Sequence, residues 1–514
     1  MVGGHRICGV IAAPTAAGMM ELIRLALRHT RTLELRLDWL ESERQVALLL
    51  PRIHALSSRA TLIVTCRRRE AGGRFGGNIA GQLARLSAAC ALGCQWCDLE
   101  IETAGQLHLV KLREFLSPSR LLISLHDFRR TPPGLHRTLR RLEQAGAHAV
   151  KIATACRSLA DSVRVLSLTR GRRHVVAVPM GELGLPARVL ALREGSALAY
   201  ASVGTSTAPG QLSLQEMTNL YRAHRMDRAT RVFGVIGNPV AHSLSPLLHN
   251  TGFVKRGVNA VYLPFLVRDL PDFLAAIEPL GIAGFSVTLP HKEKMLRHLD
   301  DCDAQAAAIG AVNTVLVRNG RLLGYNTDAA GILISLQQFY GRGTRLAGKR
   351  VLIFGAGGAA RAAAVTLARS GAAVYICARR HDRARALARI VRGEAIARRH
   401  MQQNHFDVII NATPVGMHPN SGQSPLNASE LDCGVVFDLV YRPRQTKLLR
   451  LAARRGIKTI SGVEMFLQQG FAQWKIWMQH TPPQAPMRAA VVKALESERE
   501  NRRRKAASPL TPQD

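Results

Sequence analysis

Acidic side chains are scarce in this chain. Only 36 Asp and Glu stand against 70 Lys and Arg, leaving a net charge of +34 and a pI near 11.1. An excess of this size raises nucleic acid as a partner. Lysine is scarcer still, because the 70 cations are 59 arginines and 11 lysines. The arginines are spread over the whole length. They lack the Lys/Arg blocks, interleaved with aromatics, that a nucleic-acid arm would show. Solvated arginine-rich faces are the favoured reading, and no nucleic-acid partner is expected. No run of 18 apolar residues occurs, so no transmembrane helix and no membrane partner are expected. The apolar stretch near the start is too short for a signal peptide. The nine cysteines are odd in number and lack the spacing of a disulfide framework. Cys94-x-x-Cys97 has no second CxxC partner. Buried structural thiols, no metal and a reducing cytoplasm are therefore expected. Apolar residues make up 47% of 514, which excludes disorder of the whole chain and suggests several domains.

What is present is a regular alternation. Short apolar segments recur at 7–12, 33–39, 61–66, 96–101, 121–126, 149–153, 174–178 and 199–203. Their starts lie roughly 25 to 35 residues apart, with helical patterns between, as parallel βαβ units require. Eight such units in about 210 residues predict an α/β (β/α)8 TIM barrel. Barrel chemistry sits at the C-terminal strand ends, and polar residues gather there. Alternation puts Glu34, Arg36 and Asp38 on one face of the second strand. Thr65-Cys66-Arg67 ends the third strand, and Asp98-Leu-Glu100 follows the fourth. Ser124-Leu-His126 ends the fifth.

Lys151 is the most informative residue. The first 220 residues hold only two lysines, Lys111 and Lys151. A chain that uses arginine almost everywhere keeps a lysine inside the apolar strand Ala149-Val-Lys-Ile-Ala153. Burial favours the neutral amine, which attacks carbonyl carbon, whereas arginine does not lose its proton. The alternative is a lysine reaching from the barrel rim into water. His126, one strand earlier, is suited to moving protons near neutral pH.

These stretches resemble type I 3-dehydroquinate dehydratase. The matching residues are Glu34-Leu-Arg36, Thr65 to Glu70, Ser124-Leu-His126-Asp-Phe, Val150-Lys151-Ile-Ala, Met180-Gly181 and Ala208-Pro-Gly-Gln211. The resemblance implies that Lys151 forms an imine with a substrate ketone. It implies that His126 removes the α-proton and helps the β-hydroxyl leave as water. Arg188 would grip the substrate carboxylate by a bidentate fork. Glu34, Arg36, Arg67, Thr207 and Gln211 would line the pocket. Thr207 and Ala187 stand where the family usually carries Ser.

The second half opens with a strand at Phe233. Helix formers over 208–231 predict a barrel-closing helix that runs straight into it. Ser243-Leu-Ser245-Pro246 then predicts a helix start, with Ser245 as N-cap and Pro246 at the first helical position. Phe285-Ser-Val-Thr288-Leu-Pro-His-Lys292 is a strand leading into a polar cluster, followed by Asn313-Thr314 and Asn326-Thr-Asp328. Spacing alone allows Lys292 and Asp328 to be an ordinary surface pair. Gly355-Ala356-Gly357-Gly358-Ala359-Ala360 lies between a strand, 349–354, and a helix, 360–369. Strand, glycine turn and helix in that order signal dinucleotide binding. The next strand ends at Ala378-Arg379-Arg380, where an NAD site would offer an acid. Two arginines suit a 2′-phosphate, so NADP(H) is the expected cofactor.

This half resembles shikimate dehydrogenase, through Ser243-Leu-Ser245, Val287-Thr288-Leu-Pro-His-Lys292, Asn313-Thr314, Asn326-Thr-Asp328, the Gly355 loop, Asn411-Ala-Thr413, Asp438-Leu-Val-Tyr441 and Gly462 to Gln469. The resemblance implies that Lys292 and Asp328 act together in proton transfer and that Ser243 and Ser245 bind a carboxylate. Thr288, Asn313, Tyr441 and Gln469 would contact ring hydroxyls or shape the pocket. Asn411, Thr413, Gly462 and Met465 would lie near the cofactor. Ala378-Arg379-Arg380 stands where the family carries Asn-Arg-Thr. The expected domains are a barrel over 1–222, a substrate domain over 231–335 and a Rossmann NADP-binding domain over 345–460. Helices over 461–495 would return to the substrate domain, and 496–514 would form a disordered tail.

The expected function is a fused pair of consecutive reactions. These are dehydration of 3-dehydroquinate and NADPH-dependent reduction of 3-dehydroshikimate, with small-molecule partners. One alternative is a dehydrogenase half directed to quinate. Its extra hydroxyl needs room that Ser243 and Thr288 take up. Another is a regulatory or nucleic-acid-binding relative with reduced catalysis, which intact Lys151, His126, Lys292 and Asp328 disfavour.

Overall fold

The computed structural model describes residues 6–107, 109–144, 146–204, 210–341, 346–418 and 420–507. The chain divides into two compact units, 1–232 with 259–281 and 233–258 with 282–514.

The first unit is built on eight parallel strands. They are β1 (Ile7–Ile11), β2 (Thr32–Arg36), β3 (Thr61–Thr65), β4 (Trp96–Glu100), β5 (Arg120–Asp127), β6 (Ala149–Ala155), β7 (Val175–Met180) and β8 (Ala199–Ser202). Their order is β7-β6-β5-β4-β3-β2-β1-β8, so β8 comes round to pair with β1. At the β7–β8 seam Ala197 N donates to Val175 O at 2.8 Å. The barrel is nearly closed. These strands are largely apolar because both faces are covered, although β2, β4 and β6 carry the buried charges of Glu34, Arg36, Asp98, Glu100 and Lys151. Cys8, Ile63, Trp96, Leu122, Val176 and Leu198 pack together at its centre. Thr15, Ser42, Asn78 and Ser158 each precede a helix and accept one of its first backbone N–H groups. The strand β10 (Ala260–Leu266) and the helix Leu270–Leu280 also belong to this unit.

The second unit holds two sheets. One contains β9 (Arg231–Gly237), β11 (Ile282–Val287), β12 (Asp301–Cys302), β13 (Thr314–Arg318) and β14 (Arg321–Tyr325), in the order β9-β11-β13-β14-β12. The other contains β15 (Arg350–Phe354), β16 (Ala373–Cys377), β17 (Glu394–Ala395), β18 (Phe406–Asn411), β19 (Cys433–Asp438) and β20 (Lys458–Ser461). It is parallel throughout, in the order β17-β16-β15-β18-β19-β20. That is the doubly wound dinucleotide-binding order, whose crevice opens where β15 meets β18. Two apolar clusters form its core, one around Val351, Ile353 and Phe437, the other around Leu352, Ile409 and Val436. Small Ala360, Ala363 and Ala364 let the helix Gly358–Arg369 press onto the sheet.

Four local expectations need correction or extension. No single helix runs through 210–231, the described part of that stretch. The described part is a short helical segment, Glu216–Leu220, and a turn at Ala223–Arg225. Arg222 takes a left-handed conformation with φ 52°, which breaks the helix. Ser245 is not an N-cap. It is the first residue of the helix Ser245–Arg256, and its N–H is taken by Ser243 Oγ at 3.2 Å. Asp38 is not on a strand, because β2 ends at Arg36 and Asp38 lies in a 3-10 turn, Leu37–Trp39. The last helix, Gln484–Ala507, runs beyond Glu496. Its Glu and Arg residues are good helix formers. Glu496 and Glu498 also pair with Arg444 and Arg442 at 2.8 and 2.7 Å. No helix among the described residues is long and apolar enough to cross a membrane.

Candidate active sites

At the C-terminal ends of the barrel strands, charged side chains leave water together. Glu34, Arg36, Asp38, Arg67, Asp98, Glu100, Lys151 and Arg188 are all buried. Among the described residues, Arg36, Arg67 and Arg188 are the only buried arginines and Lys151 the only buried lysine. Buried charges must be paired or hydrogen-bonded. Arg36 grips Asp38 through two bonds, Nε to Oδ1 at 2.8 Å and Nη2 to Oδ2 at 2.7 Å. Lys151 Nζ donates to Asp98 Oδ2 at 2.6 Å and to Glu34 Oε1 at 3.3 Å. Thr65 Oγ1 donates to the same Glu34 oxygen at 2.9 Å. Arg67 reaches Asp98 at 3.3 Å, and Ser124 donates to it at 2.6 Å. Burial alone would raise the Asp98 carboxyl, but Lys151 and Arg67 outweigh it and hold it below the usual range.

Lys151 therefore sits inside the barrel, in register with Ser124 of β5, and does not reach from the rim. His126 is partly buried and stacks on Phe128 at 6.0 Å. Its Nδ1 has no hydrogen-bond partner among the described residues. Burial, then Arg67, Lys151 and Arg36, push its pKa well below the usual value, so it stands as a neutral base at neutral pH. Arg188 donates Nε to Pro179 O at 2.7 Å. Burial lowers its guanidinium to about 10, and among the described residues no carboxylate offsets that shift. Gln211 lies half-buried beyond β8. Thr207 lies outside the described residues. Asp98, Ser124 and Tyr200 complete the cluster and were not singled out from sequence. Their advance signals were the strand-end positions of Asp98 and Ser124 and the place of Ser124 in the Ser124-Leu-His126 motif.

In the second unit Lys292 forms an ion pair with Asp328 Oδ2, and Asn313 Nδ2 donates to Asp328 Oδ1 at 2.7 Å. Asp328 is only 3% exposed, so this is not a surface pair. Asn313 Oδ1 in turn accepts from Thr327 N and from Thr314 Oγ1, both at 2.8 Å. A cavity of about 290 Å³ opens over this pair. Ser243, Ser245, Thr288, Lys292, Asn313, Asp328, Tyr441 and Gln469 line it, as do Ala359, Thr413, Gly462 and Met465. Tyr441 stacks on Phe466 at 4.4 Å, and burial pushes its phenol up. A larger open groove of about 760 Å³ near Arg444, Arg450 and Leu495 holds none of the motif residues.

Local geometry accounts for several glycines of this loop. Gly355 has φ 117°, and a Cβ there would stand 2.9 Å from Ala412 O. Gly357 caps the helix Gly358–Arg369 and faces open space, where an anion can approach the helix N-terminus. A Cβ on Gly358 would stand 3.1 Å from the Lys292 side chain, so glycine lets the loop approach that residue. Ala356 stays partly buried beside the core. Gly462 is pressed against Leu439, and a Cβ at Gly462 would stand 2.7 Å from the Leu439 backbone. Arg379 and Arg380 are exposed just beyond β16 and do not line the cavity. Asn411 is fully buried. It donates to Asp438 Oδ1 at 2.9 Å and accepts from Thr413 Oγ1 at 2.7 Å. Asp438 and Gln473 are further polar residues that the motifs did not assign. All nine cysteines are free. Among the described residues no group of three potential ligands is placed to hold a metal ion.

Family models match in the same order. Type I 3-dehydroquinase matches residues 7–228, and the shikimate dehydrogenase substrate binding domain matches 235–315. Shikimate / quinate 5-dehydrogenase matches 337–420, and the shikimate 5'-dehydrogenase C-terminal domain matches 462–492. The shikimate dehydrogenase (NADP(+)) of Symbiobacterium thermophilum is 40% identical over 285 residues, covering 52% of this chain and 96% of that protein. That of Thermococcus kodakarensis is 41% identical over 275 residues, covering 52% and 98%. The chloroplastic bifunctional 3-dehydroquinate dehydratase/shikimate dehydrogenase of Arabidopsis thaliana is 34% identical over 507 residues. That match covers 93% of this chain and 83% of the plant protein. Because that relative carries both halves in the same order, the chain belongs to the family of bifunctional 3-dehydroquinate dehydratase/shikimate dehydrogenases.

Proposed function

We propose how each residue serves the two reactions of this family. The reactions are dehydration of 3-dehydroquinate to 3-dehydroshikimate and NADPH-dependent reduction of 3-dehydroshikimate to shikimate. The observation that carries the assignment is a lysine held against a carboxylate in each half, Lys151 with Asp98 and Lys292 with Asp328.

In the barrel, Lys151 attacks the ketone and becomes an imine. The iminium draws electrons from the neighbouring C–H bond. His126, neutral and partly desolvated, takes the α-proton and then helps the β-hydroxyl leave as water. Arg188 binds the substrate carboxylate, and Glu34, Arg36, Arg67 and Gln211 hold the ring hydroxyls in place. Thr207 completes this set in the proposal.

In the second half, NADPH supplies a hydride to the carbonyl carbon when bound. The glycine loop from Gly355 to Ala359 holds its pyrophosphate, and Arg379 and Arg380 meet the 2′-phosphate. Asn411, Thr413, Gly462 and Met465 shape the wall on that side. Lys292 and Asp328 hold and move the proton at the substrate oxygen, with Asn313 fixing the carboxylate. Ser243 and Ser245 bind the carboxylate of 3-dehydroshikimate. Thr288, Tyr441 and Gln469 fit its ring. The free cysteines support a reducing, cytoplasmic location.

Both activities should be assayed on the one purified chain. Borohydride with 3-dehydroquinate should add mass at Lys151, and an unmodified Lys151 would refute the imine. Lys292→Ala should depress reduction and spare dehydration. Loss of both activities would mean that the roles are not separable by half.

A further inference from the structure

Among the described residues, three groups lie against the nitrogen of Lys151. Asp98 Oδ2 lies at 2.6 Å, Glu34 Oε1 at 3.3 Å, and the ring centre of Tyr200 at 4.3 Å. The two carboxylates differ. Glu34 is the more distant, and the oxygen it turns to the amine is shared with Thr65. Asp98 is 1% exposed, and its other oxygen is anchored by Ser124 Oγ at 2.6 Å. Oδ2 is thus left facing the amine, with Arg67 at 3.3 Å behind it. A lysine becomes a nucleophile only after it loses a proton, and a buried site needs an internal group to take it. His126 makes no hydrogen bond to Lys151 among the described residues.

We propose that Asp98 is the proton carrier of imine formation, a catalytic residue acting on the amine while His126 acts on the carbon-bound proton. The proposal rests on the imine assigned to Lys151. First, one proton passes from the Lys151 ammonium to Asp98 Oδ2, leaving a neutral amine and a carboxylic acid. The amine lone pair forms a C–N bond to the ketone carbon, and the C=O π pair moves to oxygen. A proton shift from that nitrogen to that oxygen gives the neutral carbinolamine. Asp98 then returns its proton to the carbinolamine hydroxyl. The C–O bond breaks, water leaves, and the nitrogen lone pair forms the C=N bond. Ammonium and ketone have become iminium and water, and Asp98 is a carboxylate again. A cation stands beside Asp98 at both ends of the sequence, so the buried anion keeps its partner.

The test follows the rate at which borohydride traps 3-dehydroquinate on Lys151 in the full chain, read by mass spectrometry. Asp98→Asn keeps the shape and removes the proton carrier. Its trapping rate should fall at least about 100-fold, the usual size of a lost general acid–base group. NADPH-dependent reduction by the same chain should not change. If Asp98 only held the lysine charge, its removal would favour the neutral amine, and trapping would be faster. A faster or unchanged rate overturns the proposal. Asp98→Glu should trap at least about tenfold faster than Asp98→Asn, in keeping with a returned carboxylate. Equal rates overturn the proposal.

Should Asp98→Asn fail to fold, Ser124→Ala decides. It removes a hydrogen bond to the Asp98 anion, so the acid limb of the trapping rate should move to higher pH. An unmoved limb overturns the proposal. Absence of any adduct in the unaltered chain would instead refute the imine itself.

Discussion

Arg188→Met separates substrate binding from stability. Arg188 is 6% exposed, and burial lowers its guanidinium from 12.5 to about 10. A shift of that size corresponds to roughly 3 kcal/mol against the charged form, at about 1.4 kcal/mol per pKa unit. The single bond from Nε to Pro179 O returns about 1 kcal/mol. Removing the charge should therefore leave the ligand-free barrel no less stable. In the proposed dehydration, the substrate carboxylate supplies the partner that the guanidinium lacks among the described residues. A bidentate pair with it is worth about 1.5–3 kcal/mol, so the variant should raise KM for 3-dehydroquinate about 10- to 150-fold. Initial rates of dehydration give KM, and thermal unfolding gives the stability. An unchanged KM would refute the carboxylate role. A fall in Tm of more than about 5 °C, roughly 1.3–2.5 kcal/mol for a domain of this size, would show that the charge is structurally paired.

Other perturbations probe the second half. Gly355→Ala sets a Cβ 2.9 Å from Ala412 O at φ 117°, a strain of about 1–3 kcal/mol, and should raise KM for NADPH about tenfold or more. Dehydration by the same variant should not change. Arg380→Ala should weaken NADPH about tenfold and leave NADH unchanged, and equal losses would remove the 2′-phosphate contact. Asp438 is raised by burial from 3.8 to about 6, even though Thr446, Val440 and Asn411 donate to it. A raised carboxyl contributes stability that is present below about pH 4 and lost as the pH rises through 6. The Tm difference between the unaltered chain and Asp438→Asn should therefore change over pH 4–7. A constant difference would refute the shift.

The strands were legible because a parallel sheet covered on both faces reads as short, mostly hydrophobic runs, interrupted here by the charged residues of the site. All eight barrel strands fall where those runs lie, with ends moved by a few residues. The glycine loop was legible because Gly355, at φ 117°, takes a conformation that favours glycine between a strand and a helix. Lys151 stood out because the chain otherwise avoids lysine there. Asp98 was not legible as its partner. It is 53 residues away in sequence, and a strand-end acid looks the same whether it meets water or a lysine. Nor could helix formers alone place the end of the last helix, whose acids meet Arg442 and Arg444 from another segment.

Composition left the charge of +34 unexplained, and burial divides it. Of 59 arginines, the three buried among the described residues all stand in the first unit. The sequence by itself determined the α/β class, the order of the two halves and the residue types on each strand end. Periodicity and backbone chemistry are local properties, and they survive in a linear string. Only the tertiary structure decided which charges leave water together and which carboxylate meets each lysine. Those outcomes depend on distances between strands and loops far apart in the chain. The strength of each pairing follows from the solvent that folding removes.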